Sequence, residues 1–425
     1  MSGYGNSNNS GARRSNSSGG SMYSGYGRSS GGRSSGGGRY HGGGGRSRGG
    51  PKKQGRGQYI HPSKFIREAT PVAQEDYTPA HKFSDFKIQD ILKNNLEANG
   101  YFKPSPVQDL TIPLGLDGKD VIGIANTGTG KTVAFGIPVL NKLINDRSSK
   151  ALIIAPTREL AQQIDDEFRK VAKGSGLSGA ILIGGTPMGP QLRDLRSNPQ
   201  IVIGTPGRVK DHIARGSFRS KDFNIIVLDE VDRMLDMGFV DDVTHILSAI
   251  SPDRQSFFFS ATMDPKIQVL IQTFSKDPEV VSVKTGDTSD NVHQNIVEYR
   301  GNHEKLDKLH DLLIQDHVEK TIIFHDTQRA VEELARQLHE RGFKSDAIHG
   351  AKTQVQRQRA LNKFKNSEVH ILVATDVAAR GIDVKDITHV INYTVPQTYA
   401  DYTHRVGRAG RAGKTGHALT FVESR

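Results

Sequence analysis

The sequence predicts an α/β protein: two tandem domains, each a parallel β-sheet covered by helices, behind a disordered basic N-terminal tail. Two observations carry this. From about Phe83 onward, short runs of largely β-branched residues alternate with helix-like stretches, the pattern of strands buried on both faces. That series breaks once, at the polar stretch KTGDTSDNVHQN (284–295), and then restarts. Two series joined by a polar linker read as two domains. A single sheet of eleven strands is the alternative, disfavoured by the break.

Residues 1–58 are mostly Gly, Ser, Arg, Asn and Tyr, with ten Arg or Lys and no Asp or Glu. Such a segment cannot bury enough apolar surface to offset its ordering entropy, so it is expected to be disordered. The chain as a whole carries +11, which leaves +1 for residues 59–425. The basic excess therefore lies in the tail. A tail without acids attracts polyanions, and Tyr4, Tyr23, Tyr26 and Tyr40 add stacking, so loose RNA contact is favoured there over a solubilising leader.

Residues 59–82 read as an extended lead-in. The first domain, 83–284, holds the runs DVIGI (120–124), ALIIA (151–155), AILI (180–183), IVIG (201–204), IIVL (225–228) and FFFS (257–260). A linker at 285–292 follows. The second domain, 293–425, holds TIIF (321–324), DAIH (346–349), HILVA (370–374), HVIN (389–392) and ALTF (418–421). The chain has no cysteine, which excludes disulfides, iron–sulfur clusters and cysteine zinc sites. Its sixteen histidines show no metal-ligand spacing. No apolar stretch approaches the ~20 residues of a membrane span, and the first residues lack the apolar core of a secretory signal. The expectation is a soluble, cytoplasmic protein with no membrane partner.

ANTGTGKT (125–132) follows the strand DVIGI and precedes the helical pattern VAFGIPVLNKLI. That strand–loop–helix setting is what a phosphate-binding loop requires. Gly128 and Gly130 permit turns whose N–H groups face an anion at a helix N-terminus. Lys131 would reach β- and γ-phosphates, and the Thr132 hydroxyl would ligate Mg²⁺; Thr127 and Thr129 complete the candidate loop. The strict pattern has glycine where Ala125 stands, so the loop is a variant.

The stretch IIVLDEVDRMLDMGF (225–239) places Asp229, Glu230 and Asp232 directly after a buried strand. Clustered carboxylates raise one another's pKa unless cations compensate. Asp229 is placed to hold a Mg²⁺ already bound to phosphates, which frees Glu230 to orient or deprotonate a water. An exposed acidic helix start accounts for Asp232 but not for acids that follow IIVL.

With these motifs in place the chain resembles a DEAD-box ATP-dependent RNA helicase, with Asp-Glu-Val-Asp in place of Asp-Glu-Ala-Asp. The resemblance runs from about Phe83 to the C-terminus and implies two RecA-like domains, ATP and Mg²⁺ as cofactors, and sequence-independent RNA binding. It implies that Phe83 stacks on adenine and that Gln108, in GYFKPSPVQ, hydrogen-bonds its edge. It assigns RNA-backbone contacts to Pro156, Thr157 and Arg158 of PTRELA, to Gly184 and Gly185, and to Thr205, Pro206, Gly207 and Arg208 of TPGR. In the second domain it adds Gln354 and Arg357 of QVQR and Thr375 of ATDVAARGID. Asp232, Ser260 and Thr262 of SAT, and His404, would couple hydrolysis to strand separation. HRVGRAGR (404–411) is close to the family's arginine-finger motif: Arg408 and Arg411 would neutralise charge on a transferring phosphoryl group, and Asp383 would touch the ribose or those arginines. Arg405 alone reads as plain solvated charge.

Val231 departs from the family's alanine, with packing rather than chemistry at stake. The chain also ends four residues after ALTF, where the family continues into a closing helix, which implies an incomplete or shortened second domain. The implied activity is RNA-stimulated ATP hydrolysis coupled to local, non-processive unwinding of RNA duplexes or ribonucleoprotein remodelling. A DNA helicase or translocase is disfavoured by the adenine motif and HRVGRAGR. A non-enzymatic, ATP-gated RNA clamp is disfavoured by Lys131, Glu230 and Arg408.

Overall fold

A computed structural model describes residues 60–70, 77–126, 128–283, 290–379, 384, 386–410 and 414–424. The basic tail lies outside the described residues, as do the candidate site residues Thr127, Asp383 and Arg411.

Among the described residues, thirteen strands form two sheets, each parallel throughout. The first has the order β3-β4-β2-β5-β6-β1-β7, built from β1 (Val121–Ile124), β2 (Ala151–Ile154), β3 (Gly179–Leu182), β4 (Ile201–Gly204), β5 (Ile225–Leu228), β6 (Gln255–Ser260) and β7 (Glu279–Ser282). The second has the order β10-β11-β9-β12-β13-β8, built from β8 (Val292–Tyr299), β9 (Thr321–Phe324), β10 (Ser345–Ile348), β11 (Ile371–Ala374), β12 (His389–Asn392) and β13 (Gly416–Glu423). The eleven-strand single sheet is thereby excluded. Helices cover both faces of each sheet and leave an apolar cluster on either side.

Two strands are not legible as apolar runs. Edge strand β7, EVVS, buries only Val281. Strand β8, VHQNIVEY, buries only Val292 and Gln294, and its first half lies inside the stretch that reads as polar linker. Its run of polar residues reflects its place at the sheet edge, where it pairs with β13 on one side and takes an isolated bridge from Arg67 on the other.

Ligands of open parallel sheets bind beyond the carboxyl ends of the strands. In the first sheet β5, β6 and β1 are neighbours, so their carboxyl ends bring Asp229, Ser260 and the 125–132 loop side by side. The Ala125 N–H donates to the Ser260 carbonyl at 3.0 Å, which joins two of these ends directly. No helix among the described residues is long and apolar enough to cross a membrane.

Candidate nucleotide and RNA site

The phosphate loop leaves β1 and turns through Gly128 (φ 83°) and Gly130 (φ 90°) into the helix Lys131–Asn145. It is gripped from the helix Pro106–Leu116. Ser105 Oγ donates to the Thr129 carbonyl at 2.7 Å, and Gln108 Nε2 donates to the Gly130 carbonyl at 3.0 Å. A Cβ at Gly130 would stand 2.4 Å from that amide nitrogen, so the clamp and the left-handed turn both require glycine. Gln108 Oε1 accepts the Ser105 N–H at 2.9 Å. The Gln108 amide is engaged at both ends, with the loop and with its own helix start, and one further donor and one lone pair remain for a base edge. Phe83 is enclosed. Its ring is 4% exposed and packs edge-on against Phe86 and Tyr101, so it presents no open face for stacking on a base.

Lys131 is buried at the helix start, and its Nζ donates to the Ala125 carbonyl at 3.1 Å. Thr132, next along, is half-buried. Opposite them stand the three carboxylates. Asp229 accepts the Glu230 N–H at 2.9 Å. Burial pushes the Asp229 carboxyl up to about 6, against the restraining Lys131 ammonium and with Glu230 adding repulsion. For Glu230, burial also acts upward, but Arg233, Lys131, Arg408 and His404 together outweigh it and hold the carboxyl below its usual range. Arg233 is the nearest of these, with Nη1 2.9 Å from Glu230 Oε2 in a buried ion pair. Asp232 faces away from both, onto β6. Its Oδ2 accepts the N–H groups of Ala261 at 3.0 Å and Thr262 at 3.1 Å, and the Thr262 hydroxyl at 3.4 Å, while its own N–H reaches Ser260 Oγ at 3.3 Å. Asp232, Ser260 and Thr262, the coupling candidates of this half, thus form one hydrogen-bonded unit.

Val231 is fully buried in the apolar cluster beneath β5, on the side away from Lys131. Among the described residues no group of three or more His, Asp or Glu side chains could hold a metal by itself. A divalent ion here would need ligands from a substrate's phosphates.

The second half supplies the far wall. Asn126, Lys131, Glu230, Asp232, Arg233, Ala261 and Thr262 share one cavity of about 140 Å³ with Thr403, His404 and Gly407. That volume suits a phosphoryl group and a few waters rather than a whole nucleotide. Arg408 is buried beside it, with Nε donating to the His404 carbonyl at 3.3 Å. Arg405 is not solvated charge. It is 3% exposed, paired through Nε and Nη2 with Asp376 at 2.6 and 2.7 Å, and bonded through Nη1 to Asn392 Oδ1 and the Thr394 carbonyl. It fastens the motif's helix, Tyr399–Val406, to the carboxyl ends of β11 and β12.

The RNA candidates collect at strand ends of both sheets. Thr157 caps the helix Arg158–Val171 by accepting the Leu160 N–H at 3.2 Å, behind the buried Pro156. Arg158 lies across Gly184 and Gly185; a Cβ at Gly185 would meet its guanidinium at 2.1 Å. Arg208 Nη1 donates to the Thr186 carbonyl at 3.2 Å, which closes the same corner. Thr205 and Pro206 start the helix Pro206–Ala214, where Gly207 is exposed and the Thr205 hydroxyl makes no cap bond. Thr375 follows β11 and takes the N–H groups of Ala378 and Ala379 on its carbonyl.

Gln354 and Arg357 do not face an open groove. Gln354 Nε2 donates to Glu159 Oε1 at 3.3 Å, and Arg357 Nη2 lies 2.8 Å from Glu159 Oε2 as a misaligned charge pair. Both join the second half to the first. Arg357 Nε, Gln354 Oε1 and Glu159 Oε2 have no hydrogen-bond partner among the described residues.

Three residues of the site carry roles that the sequence-based reading does not give them. Arg233 stands one helical turn from Glu230, a spacing that could flag it. Glu159 sits within PTRELA, but nothing local marks it, because its partner is 198 positions away. Arg405 has Asp401 four residues before it on its own helix, but the acid it meets is Asp376, which only the fold supplies.

A phosphate loop on one half, facing acidic groups on its own sheet and His404 and Arg408 carried by the other, defines a two-domain nucleotide-driven motor. Comparison with known proteins gives the family. Residues 105–270 match the DEAD/DEAH box helicase family, and residues 304–413 match the helicase conserved C-terminal domain. The chain is 46% identical over 346 residues to the DEAD-box ATP-dependent RNA helicase CshA of Bacillus subtilis, across 81% of this chain and 70% of that protein. It is 44% identical to the ATP-dependent RNA helicase CshA of Listeria monocytogenes, across 81% and 66%. Among solved structures it resembles S. cerevisiae Dbp5 bound to RNA and ADP BeF3, with TM-score 0.72, 27% identity, and 81% and 90% of the two chains covered. It also resembles Mss116p bound to ssRNA and AMP-PNP, with TM-score 0.71, 31% identity, and 79% and 73% covered. The chain belongs to the DEAD-box helicase family.

Proposed function

We propose that this protein is an ATP-dependent RNA helicase that couples RNA-stimulated ATP hydrolysis to local, non-processive unwinding of RNA duplexes or remodelling of ribonucleoproteins. The observation that carries this reading is the single cavity walled by Lys131 and Glu230 from one half and by His404 and Gly407 from the other. A site assembled from two halves works only when they are together, which makes bound nucleotide a switch as well as a substrate.

The N–H groups of the 128–132 turn and the Lys131 ammonium would cradle the phosphates. The donor set fits Mg²⁺: burial and neighbouring acids leave Asp229 short of positive charge, and the half-buried Thr132 hydroxyl lies on the facing turn. Asp229 and Thr132 would hold the ion, which would supply positive charge against that of the phosphates. In the hydrolytic step water's oxygen bonds to the γ-phosphorus as the bridging P–O bond breaks. Glu230 takes the water's proton, and Arg233 holds it ionised and oriented for that role. Arg408 would offset charge on the departing phosphoryl group. Domain bounds near 83–284 and 293–425, and a cytoplasmic site of action, belong to the same reading.

RNA would lie across Arg158, Gly184, Gly185, Thr205, Gly207 and Thr375. Backbone amides, hydroxyls and arginines on phosphates position a strand without reading its sequence. The test compares ATPase stimulation by RNA and by DNA of matched sequence. Stimulation by RNA alone is expected. Equal stimulation by DNA would favour a DNA translocase, and RNA binding without turnover would favour a clamp.

A further inference from the structure

The segment that precedes the first sheet in sequence does not pack only on the first half. Residues Pro62–Phe65 form a short 3₁₀ turn seated on the second sheet, against β8 and β13. Phe65 is 1% exposed and enters the cluster around Val292 and Tyr402, its ring centroid 4.8 Å from that of Tyr402. Two residues later the chain pairs with the outer edge of β8: the Arg67 N–H donates to the Gln294 carbonyl at 2.9 Å, and the Gln294 N–H returns to the Arg67 carbonyl at 2.8 Å. The Arg67 guanidinium meets Asp290 at 2.6 Å, and the Ala69 N–H donates to His293 Nδ1 at 3.2 Å.

The next anchor is on the other half. The buried Asp109 accepts the Tyr77 hydroxyl at 2.6 Å, the Ala80 N–H at 2.7 Å and the His81 N–H at 3.2 Å, with His81 Nδ1 at 2.7 Å. Asp109 follows Gln108, whose amide holds the phosphate loop.

We propose that residues 60–70 and 77–81 are the two anchors of an interdomain leash: the edge of β8 with its Phe65 socket is an interaction surface whose partner is the chain's own lead-in, and its occupation limits how far the two halves can part. Thr70 and Tyr77 are seven residues apart, and an extended chain spans at most about 3.6 Å per residue. While both anchors hold, those points cannot separate beyond about 25 Å. The halves are then joined twice, by this leash and by the segment between β7 and β8. Closure starts from a smaller set of open arrangements, which raises the effective concentration of one half at the other. Paired main-chain bonds on a sheet edge with one aromatic in a pocket is a known mode of peptide docking, here turned on the same chain.

The native sequence has no cysteine, so Glu97→Cys and His339→Cys, both on exposed positions of opposite halves, allow specific spin or dye labelling. Inter-label distances are measured on the full chain without ATP or RNA, which keeps the result independent of the helicase reading. Inserting twenty Gly and Ser residues between Val72 and Ala73 leaves every contact of both anchors in place. It is expected to add separations longer by on the order of 10–20 Å. Phe65→Ala with Arg67→Pro, without the insertion, is expected to do the same by emptying the socket and removing an edge N–H. Distance distributions for the insertion chain superimposable on the parent's would overturn the leash, whatever the anchor variants do.

Discussion

Glu230 sits at φ 55° and ψ 54°, in the left-handed region that a non-glycine residue occupies at a cost on the order of 1 kcal/mol. The twist turns its carboxylate out of the strand direction toward Arg233 and the shared cavity, while Asp229 stays on the phosphate side and Asp232 reaches back to β6. Glu230→Gln keeps an oxygen for Arg233 and removes the base. It should leave ATP binding within about twofold of the parent and abolish turnover, whereas Lys131→Ala should weaken ATP binding itself. Nucleotide affinity and steady-state ATPase on the two variants separate these outcomes; parental turnover by Glu230→Gln would remove it from the water-activating role. Val231 tests packing alone. Because it is fully buried, Val231→Ala should cost about 1–2.5 kcal/mol in chemical denaturation, with ATPase unchanged at a temperature where both proteins are folded. A large drop in turnover at unchanged stability would show a chemical part for the valine.

At the scale of elements, the amino ends of β12, β13 and β8 carry a column of histidines. His389, His417 and His293 are register partners on adjacent strands. The His389 and His417 rings stack at 4.8 Å, His417 and His293 at 5.4 Å, and His317 covers the first two. Burial, then the proximity of His417 and His317, pushes His389 down to about 4. A base whose folded pKa is depressed adds stability above its unfolded value, near 6.5, and that stability fades as pH falls from there toward 4. A shift of this size amounts to ~3 kcal/mol at most. The melting temperature of the parent should therefore fall between pH 7.5 and 5, and His389→Gln should flatten part of that fall. Parallel curves for the two proteins would show that the column does not govern acid stability.

For the whole molecule, the active arrangement is a property of two halves. Arg408 and His404 reach Glu230 only because the second sheet stands against the first. Arg408→Ala should cut RNA-stimulated hydrolysis at least tenfold and leave ATP affinity nearly unchanged, and Arg408→Lys should restore it only partly because an ammonium lacks the planar fork. Equal reductions in binding and turnover would count against that assignment. Residues 1–58 bring ten positive charges and no negative ones to this motor. Removing them should raise the RNA concentration for half-maximal ATPase with little change in the maximal rate. It should also flatten the dependence of log affinity on log salt, by ~0.7 for each phosphate of a single strand that the tail no longer neutralises. Superimposable salt curves would leave the tail without a tethering role.

What the sequence by itself determined is whatever is local. The phosphate loop and the Asp-Glu-Val-Asp stretch are legible because a strand, a tight turn and a helix start fall within a dozen consecutive residues, and the strands buried on both faces announce themselves as apolar runs. Strand β8 does not, because this edge strand leaves most of its residues partly or fully exposed and reads as polar. Tertiary structure alone decided which charges meet. Asp376 neutralises Arg405, Glu159 meets Arg357, and Gln108 grips Gly130, since each pair is separated by 22 to 198 positions that no periodicity spans. It also decided that the lead-in packs on the second half. Phe65 and Arg67 lie next to the first domain in sequence, but the unpaired edge they complete belongs to a strand more than two hundred residues away. A chain pattern specifies its own period; an edge, a socket or an ion pair exists only once distant segments have been folded against each other.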